Sequence, residues 1–255
     1  MKLKTYLAAL AVAAATFTGG TMEARAMEGL EIGGDVGMVS QYVWRGATQT
    51  SGVPAVQGSL GAASGGFSAG LWFSNAYTSS NPKFAGRDVV EYDVTLDYSG
   101  EAGAVGYSVG GIYYLYQYDP QSNFAEVYAG ASMDAPLSPS ITLYYTVDDV
   151  SSGFYKSGDI WVDLGISGSA GGADLSGTLS YVSWESDPGR TADFYQDGFS
   201  LLALGVSKDL AVGDVTITPS ATVSVPIASK SSDGNRYIYG TQVENEFIAG
   251  LAIAY

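Results

Sequence analysis

The sequence predicts an all-β protein, a transmembrane up-and-down antiparallel β-barrel of about 12 strands with periplasmic termini. Three observations carry this. Apolar and polar residues alternate in repeated segments of about ten residues, the length a tilted strand needs to cross hydrocarbon. The connections between segments alternate between short and long. The last segment, 245–255, places Tyr255, Ile253, Leu251, Ala249 and Phe247 at every second position and stops on an aromatic.

Residues 1–26 have the form of a cleaved secretory signal. Lys2 and Lys4 precede an apolar run at 7–17, and Ala24-Arg25-Ala26 reads as an A-x-A cleavage site. The mature barrel is expected over 27–255. Of the 11 basic and 26 acidic residues, removal of Lys2, Lys4, Arg25 and Glu23 leaves 8 and 25, a net charge of −17. Such acidity argues against nucleic acid as a partner, because phosphate contacts need clustered Lys and Arg. The absence of cysteine removes both lipoprotein anchoring and disulfides. An exported chain rich in Gly and Tyr leaves two options, a soluble all-β secreted protein or a membrane barrel.

The elements follow in order. Leu30, Ile32, Val36, Met38, Tyr42 and Trp44 share one parity, opposed by Glu31, Asp35, Gln41 and Arg45, which predicts a first strand over 30–44 and a turn at 46–52. A weaker strand spans 54–63. Phe67, Ala69, Leu71 and Phe73 define the third, before a polar loop at 75–87. The fourth has the clearest alternation, Val90, Tyr92, Val94, Leu96 and Tyr98 against Glu91, Asp93, Thr95 and Asp97. A turn at 100–103 leads to the fifth (Val105 to Leu115). The sixth (Ala125 to Met133) carries Glu126, and the seventh carries Ile141 to Val147. Ile160 to Ile166 alternate with Asp159, Trp161 and Asp163 in the eighth; the ninth holds Leu175, Leu179 and Tyr181. The facing of the tenth, 199–208, is ambiguous because Leu201 and Leu202 are adjacent. After a turn at 209–213 the eleventh alternates Val215, Ile217, Ala221 and Val223 with Thr and Ser. The longest loop, 226–244, precedes the closing strand. Connections after even strands are tight, and those after odd strands are longer and more polar, as in a barrel with short periplasmic turns.

Electrostatics assigns the faces. Strand carboxylates fall on the parity opposite the bulky apolar residues, and a charge facing hydrocarbon costs kilocalories. Asp35, Arg45, Gln57, Trp72, Glu91, Asp93, Asp97, Glu126, Asp159, Trp161 and Asp163 are therefore the expected pore-lining residues, with Trp184 on the same parity. The alternative is a soluble barrel with acids on a solvated surface. Tyr42, Trp44, Phe73, Tyr92, Tyr145, Tyr181 and Phe247 would form an outer aromatic girdle, and Phe67, Tyr98, Tyr107 and Tyr255 an inner one.

The stretches Ser40-Gln41-Tyr42-Val43-Trp44-Arg45-Gly46-Ala47-Thr48-Gln49, Pro54-Ala55-Val56-Gln57-Gly58 and Gly70-Leu71-Trp72-Phe73-Ser74-Asn75 resemble the opening of the TorF-type porin family of proteobacteria. The likeness is specific over 40–75, looser at Glu91-Tyr92-Asp93, and architectural beyond. It implies an outer-membrane barrel without assigning a substrate or catalytic residues. Arg45, on interior parity in an acidic setting, is expected to pair with Glu91 or Asp93. It would serve either as a selectivity element at the outer mouth or as a clamp fixing the register of strands 1 to 4.

Three functions remain: a narrow diffusion channel with weak cation preference, an outer-membrane enzyme, and a non-transporting scaffold or surface receptor. The chain has no His and no Cys, so no base is evident to activate one of its many serines. Asp148-Asp149 lack the spacing of a calcium loop, and no metal or other cofactor is expected. Expected partners are outer-membrane lipid and lipopolysaccharide, the barrel-assembly machinery and small solutes or cations. Phe247, Leu251, Ile253 and Tyr255 are the expected assembly signal.

Overall fold

In the computed structural model, residues 25–27, 29–77, 88–148 and 154–254 are described. Twelve antiparallel strands close into a barrel: β1 Leu30–Val39, β2 Ala55–Ser64, β3 Phe67–Tyr77, β4 Asp88–Ala102, β5 Val105–Tyr116, β6 Phe124–Met133, β7 Ser140–Thr146, β8 Ile160–Ala170, β9 Ala173–Ser183, β10 Gly198–Ser207, β11 Val215–Pro226 and β12 Glu246–Ala254. Each strand pairs with its sequence neighbours. β12 returns to β1 through Gly250↔Val39 to Ala254↔Asp35, which leaves no open edge for lipid. Most of the expected signal lies outside the described residues, as do Tyr255, Asp149 and loop positions 78–87. Arg25–Met27 pairs with Leu30–Ile32.

The loop sorting is present. Gly65-Gly66, Gly103-Ala104 and Gly171-Gly172 are two-residue turns at the end that holds both barrel termini; the long connections lie at the other. β4 and β5 stay paired out to Ala102↔Val105, so the turn expected at 100–103 sits two residues later. Likewise Leu210–Val212 pairs with Val215–Ile217 and lengthens the hairpin into the stretch expected to be only turn.

The barrel is apolar outside and polar inside. Leu60, Leu71, Leu96, Val109, Leu143 and Leu251 are exposed on its outer face, while Gln57, Glu91, Glu126, Trp161, Asp163 and Thr218 are buried within. This inverts a soluble barrel and removes that alternative, because a continuous apolar exterior of this extent suits hydrocarbon rather than water. Tyr145, Tyr181 and Phe247 near one rim, and Phe67, Tyr98 and Tyr107 near the other, face outward as the girdles require. Leu96 is 64% exposed in mid-strand. Leu96→Arg is expected to destabilise the folded barrel in vesicles by about 2–4 kcal/mol, read by urea titration. Ser132→Arg, on the inner face, should lose far less; equal losses would overturn the assignment of faces.

Two strands depart from their expected form. The first ends at Val39 rather than 44. The chain then turns into the barrel, where Val43–Trp44 pairs with Ala47–Thr48. Tyr42 and Trp44 are therefore interior residues, not members of the outer girdle. Alternation reports facing only while the chain stays in the sheet, and an apolar aromatic is satisfied equally by lipid or by a packed interior. In β10 the ambiguity at Leu201-Leu202 is a β-bulge. Ser180 pairs with Leu201 and Tyr181 with Phe199, leaving Ser200 as the extra residue. Ser200 and Leu201 both point inward, and Phe199 and Leu204 outward.

Candidate functional site

The site is built on the inward hairpin. Gln49 N–H donates to the Tyr42 carbonyl at 2.7 Å, and Tyr42 N–H to Thr50 Oγ1 at 3.0 Å. The tip is Arg45-Gly46, with φ of 46° and 85°. Two positive φ values in a two-residue connection match the twist of a hairpin and favour glycine at the second position. A Cβ on Gly46 would also come within 3.0 Å of Leu201 Cδ1 and 3.2 Å of Ile238 Cδ1. The bulge that turns Leu201 inward thus seats it against the hairpin tip.

Arg45 crosses the interior to β6. Its Nη1 and Nη2 donate to Oε1 and Oε2 of Glu126, each at 2.8 Å. The expected pairing with Glu91 or Asp93 does not form, because the hairpin carries the side chain away from its neighbouring strands to the facing wall. The guanidinium lies 4.5 Å from the Trp44 ring centroid, 4.9 Å from Trp161 and 5.2 Å from Tyr144. Glu126 also accepts the Tyr114 hydroxyl at 3.0 Å and the Thr146 hydroxyl at 3.4 Å. Arg45 is 6% exposed and Glu126 2%, so the pair is fully desolvated. Multiple hydrogen bonds of this kind are what a buried pair needs to offset its desolvation. As a register clamp the pair would have joined strands 1 to 4; it joins the hairpin to β6 instead.

Around this pair the outer part of the interior is filled with rings. Trp44 lies 5.6 Å from Tyr114, 5.5 Å from Tyr155 and 5.9 Å from Tyr239 between centroids. Phe124 stacks on Tyr114 at 4.2 Å and on Tyr155 at 4.7 Å. Loop 226–244 contributes a second small hairpin, Arg236–Ile238 with Thr241–Val243. Ile238, Tyr239 and Val243 are buried, and the Tyr239 hydroxyl donates to the Trp44 carbonyl at 2.9 Å. The outer mouth is thus occupied by two inward hairpins.

The other expected pore-lining residues are distributed along the inner wall. The Tyr116 and Tyr42 hydroxyls donate to Glu91 Oε1 at 3.0 and 3.4 Å. Gln57 donates to Ser74 Oγ at 3.3 Å, and Trp72 meets Tyr42 edge-on at 5.3 Å. Asp97 accepts the Tyr128 hydroxyl at 2.8 Å, Asp163 accepts the Trp161 indole N–H at 2.8 Å and the Ser180 hydroxyl, and Asp35 accepts the Ser59 hydroxyl. Asp159 sits apart, at the outer rim. There it holds both terminal nitrogens of Arg190 at 2.6 Å and the Glu185 N–H at 2.8 Å. It therefore anchors loop 184–197 rather than lining the barrel. Toward the termini the inner face changes character. Gly61, Ala63, Ser99, Gly106, Ser132 and Gly165 line it, partly exposed, and leave a polar vestibule below the filled region.

Sequence reasoning missed Arg190, Tyr114, Phe124, Tyr155 and Tyr239. One signal was available: Tyr113-Tyr114 and Tyr144-Tyr145 put bulky rings on both parities near the outer ends of β5 and β7, which requires a filled interior there. The outer loops are tied together by their acids. Asp187 is held below the ordinary carboxylate range by the Gly189 N–H and by Lys156, and Asp193 by the Ser232 hydroxyl and N–H. Asp233 is lowered by the Ser231 hydroxyl, the Asn235 N–H and the Tyr237 hydroxyl. A cleft of about 340 Å³ opens outward between Phe154, Arg190, Phe194 and Tyr195.

The solved NanC porin superimposes with a TM-score of 0.50 at 13% identity, covering 88% of this chain and 98% of that one. The outer-membrane phospholipase A from Escherichia coli aligns at a TM-score of 0.49 and 12% identity, over 87% of this chain and 91% of that one. At such identity the NanC likeness speaks for the fold alone, that of an outer-membrane barrel. No curated protein sequence matches the chain. A family model described as "Bacterial protein of unknown function (Gcw_chp)" matches residues 23–212, most of the length, and the chain belongs to that family.

Proposed function

We propose that the protein is an outer-membrane porin-like channel for passive diffusion of small solutes or ions, kept narrow at its outer end by the hairpin around Arg45. The observation that carries this reading is the polar vestibule, lined by small side chains and acids, inside an apolar-clad closed barrel. Twelve strands lie between barrels filled by their own side chains and wide aqueous pores. Asp35 and Asp97 on the vestibule wall favour weak cation preference. The resemblance of 40–75 to TorF-type porins supports the same reading, since these residues form the hairpin and the adjoining wall. Export by the signal at 1–26, insertion by the barrel-assembly machinery through the terminal segment ending in Tyr255, and contact with lipopolysaccharide at the outer rim complete it. With no His or Cys in the chain, catalysis is not proposed.

The packed aromatic region favours a second reading, a non-transporting scaffold or surface receptor acting through the outer loops. One experiment separates them. The barrel is recovered from the outer-membrane fraction, checked for faster gel migration when unboiled, and placed in a planar bilayer under a KCl gradient. Small conductance with a cation-side reversal potential is expected. An anion-side potential overturns the preference, and a correctly folded barrel without conductance overturns the channel in favour of the scaffold.

A further inference from the structure

The wall formed by β2, β3 and β4 holds two buried carboxyls, Glu91 and Asp93, and among the described residues no basic side chain forms an ion pair with either. Gln57, Ser74 and Glu91 oppose one another across three strands, and Trp72 and Asp93 form the next row on the same face. Ser74 lies between Gln57 and Glu91 in the register, and its hydroxyl oxygen accepts the Gln57 side-chain amide at 3.3 Å. Gln57 and Glu91 are each 1% exposed, and Asp93 is also buried. Arg45, the cation at the tip of the inward hairpin, uses both terminal nitrogens on Glu126. Both tyrosine hydroxyls that reach Glu91 donate to Oε1. Glu91 Oε2, Asp93 Oδ1 and Gln57 Oε1 accept no hydrogen bond from the described residues, and Trp72 Nε1 donates none.

Two neighbouring carboxylates stripped of water repel each other and lack solvation, so ionisation requires a counter-charge. Three bare oxygens, two of them anionic, form the kind of donor set that Ca²⁺ and Mg²⁺ take. Two carboxylates balance a divalent charge. The unpaired indole N–H beside them suits a water ligand, and both ions commonly keep waters. Only two of the donors are acids, so the arrangement differs from a cluster of three His, Cys, Asp or Glu, of which the described residues include none placed to hold an ion.

We propose that Gln57, Glu91 and Asp93 bind a hard divalent cation, Ca²⁺ or Mg²⁺, on the inner wall beside the root of the inward hairpin. The ion would join β2 and β4 and, through the Tyr42 hydroxyl on Glu91, hold the hairpin to this wall. The site does not require the barrel to conduct.

The test uses the refolded full barrel in detergent, free of lipopolysaccharide and metal, titrated with Tb³⁺ as a luminescent probe. Trp72 and Tyr42 lie beside the site and would sensitise the ion. A saturable signal displaced by Ca²⁺ or Mg²⁺ is expected, lost in E91Q/D93N and retained in D174N, whose acid lies on the exposed turn of β9. Ca²⁺ should also raise the temperature at which the unboiled band disappears in the parent but not in E91Q/D93N. Should that variant not fold, Q57L is expected to weaken Tb³⁺ binding. Equal signals from the parent and E91Q/D93N, or a folded parent with no saturable signal, overturn the proposal; in the second case the carboxyls carry protons in place of an ion.

Discussion

Glu126→Ala is expected to destabilise the barrel by about 3–5 kcal/mol, the loss typical when one partner of a buried ion pair is removed. Most of that loss is the burial of an unpaired charge rather than the attraction itself. Arg45 is enclosed by Trp44, Trp161 and Tyr144, and among the described residues no other carboxylate is hydrogen-bonded to its terminal nitrogens. The rings offset part of the loss, since a desolvated cation over an aromatic face is worth up to about 2 kcal/mol. The double variant Arg45→Met/Glu126→Leu should recover much of the stability, because it removes both charges and keeps apolar volume. Urea titration in vesicles followed by gel migration, run as a double-mutant cycle, measures the coupling. A Glu126→Ala loss below about 1 kcal/mol, the range of exposed pairs, would mean that water reaches the pair and that the outer interior is not packed.

Trp44→Ala is expected to cost a similar amount, about 3–5 kcal/mol, and to raise conductance. Trp44 is in ring contact with Tyr114, Phe124, Tyr155 and Tyr239, which come from β5, β6 and two different outer loops. Removing its indole leaves a gap at the centre of the filled region that no neighbour can close without leaving its own contacts. Leu143→Ala, on the lipid face of β7, provides the comparison: it should leave single-channel conductance unchanged. Reduced stability with unchanged conductance in Trp44→Ala would show that the filled region holds the barrel together without limiting passage, and the proposed narrowing at the hairpin would fall.

Much of the architecture was legible in the residues because a membrane barrel imposes strict rules on them. Lipid on one side and polar contents on the other force alternation along each strand, so Val94, Leu96 and Tyr98 could be separated from Asp93, Thr95 and Asp97 without a structure. Closure forces short turns at one end and frees the loops at the other. The acids came out on the inner face for the same reason. The signal failed where the chain left the sheet. Tyr42 and Trp44 keep the parity of β1 for five residues after β1 has ended, so period-2 reading carried them to the wrong surface. It was ambiguous at Leu201-Leu202, where the extra residue Ser200 shifts the facing near the start of β10.

Arg45 marks the boundary between the two kinds of knowledge. Its residue type, its place on the interior parity and the need for a carboxylate partner all follow from sequence and from the desolvation of charge. Its partner does not. Glu91 and Asp93 are closer in sequence, but closing the sheet brings β6 opposite the hairpin, and the turn at Arg45-Gly46 aims the side chain there. Local patterning decides which face a residue occupies, because facing depends on its own strand. Contacts across the interior depend on strands far away in sequence, so the Arg45–Glu126 pair, the ring cluster around Trp44 and the unbalanced wall at Glu91 and Asp93 were decided by tertiary structure alone.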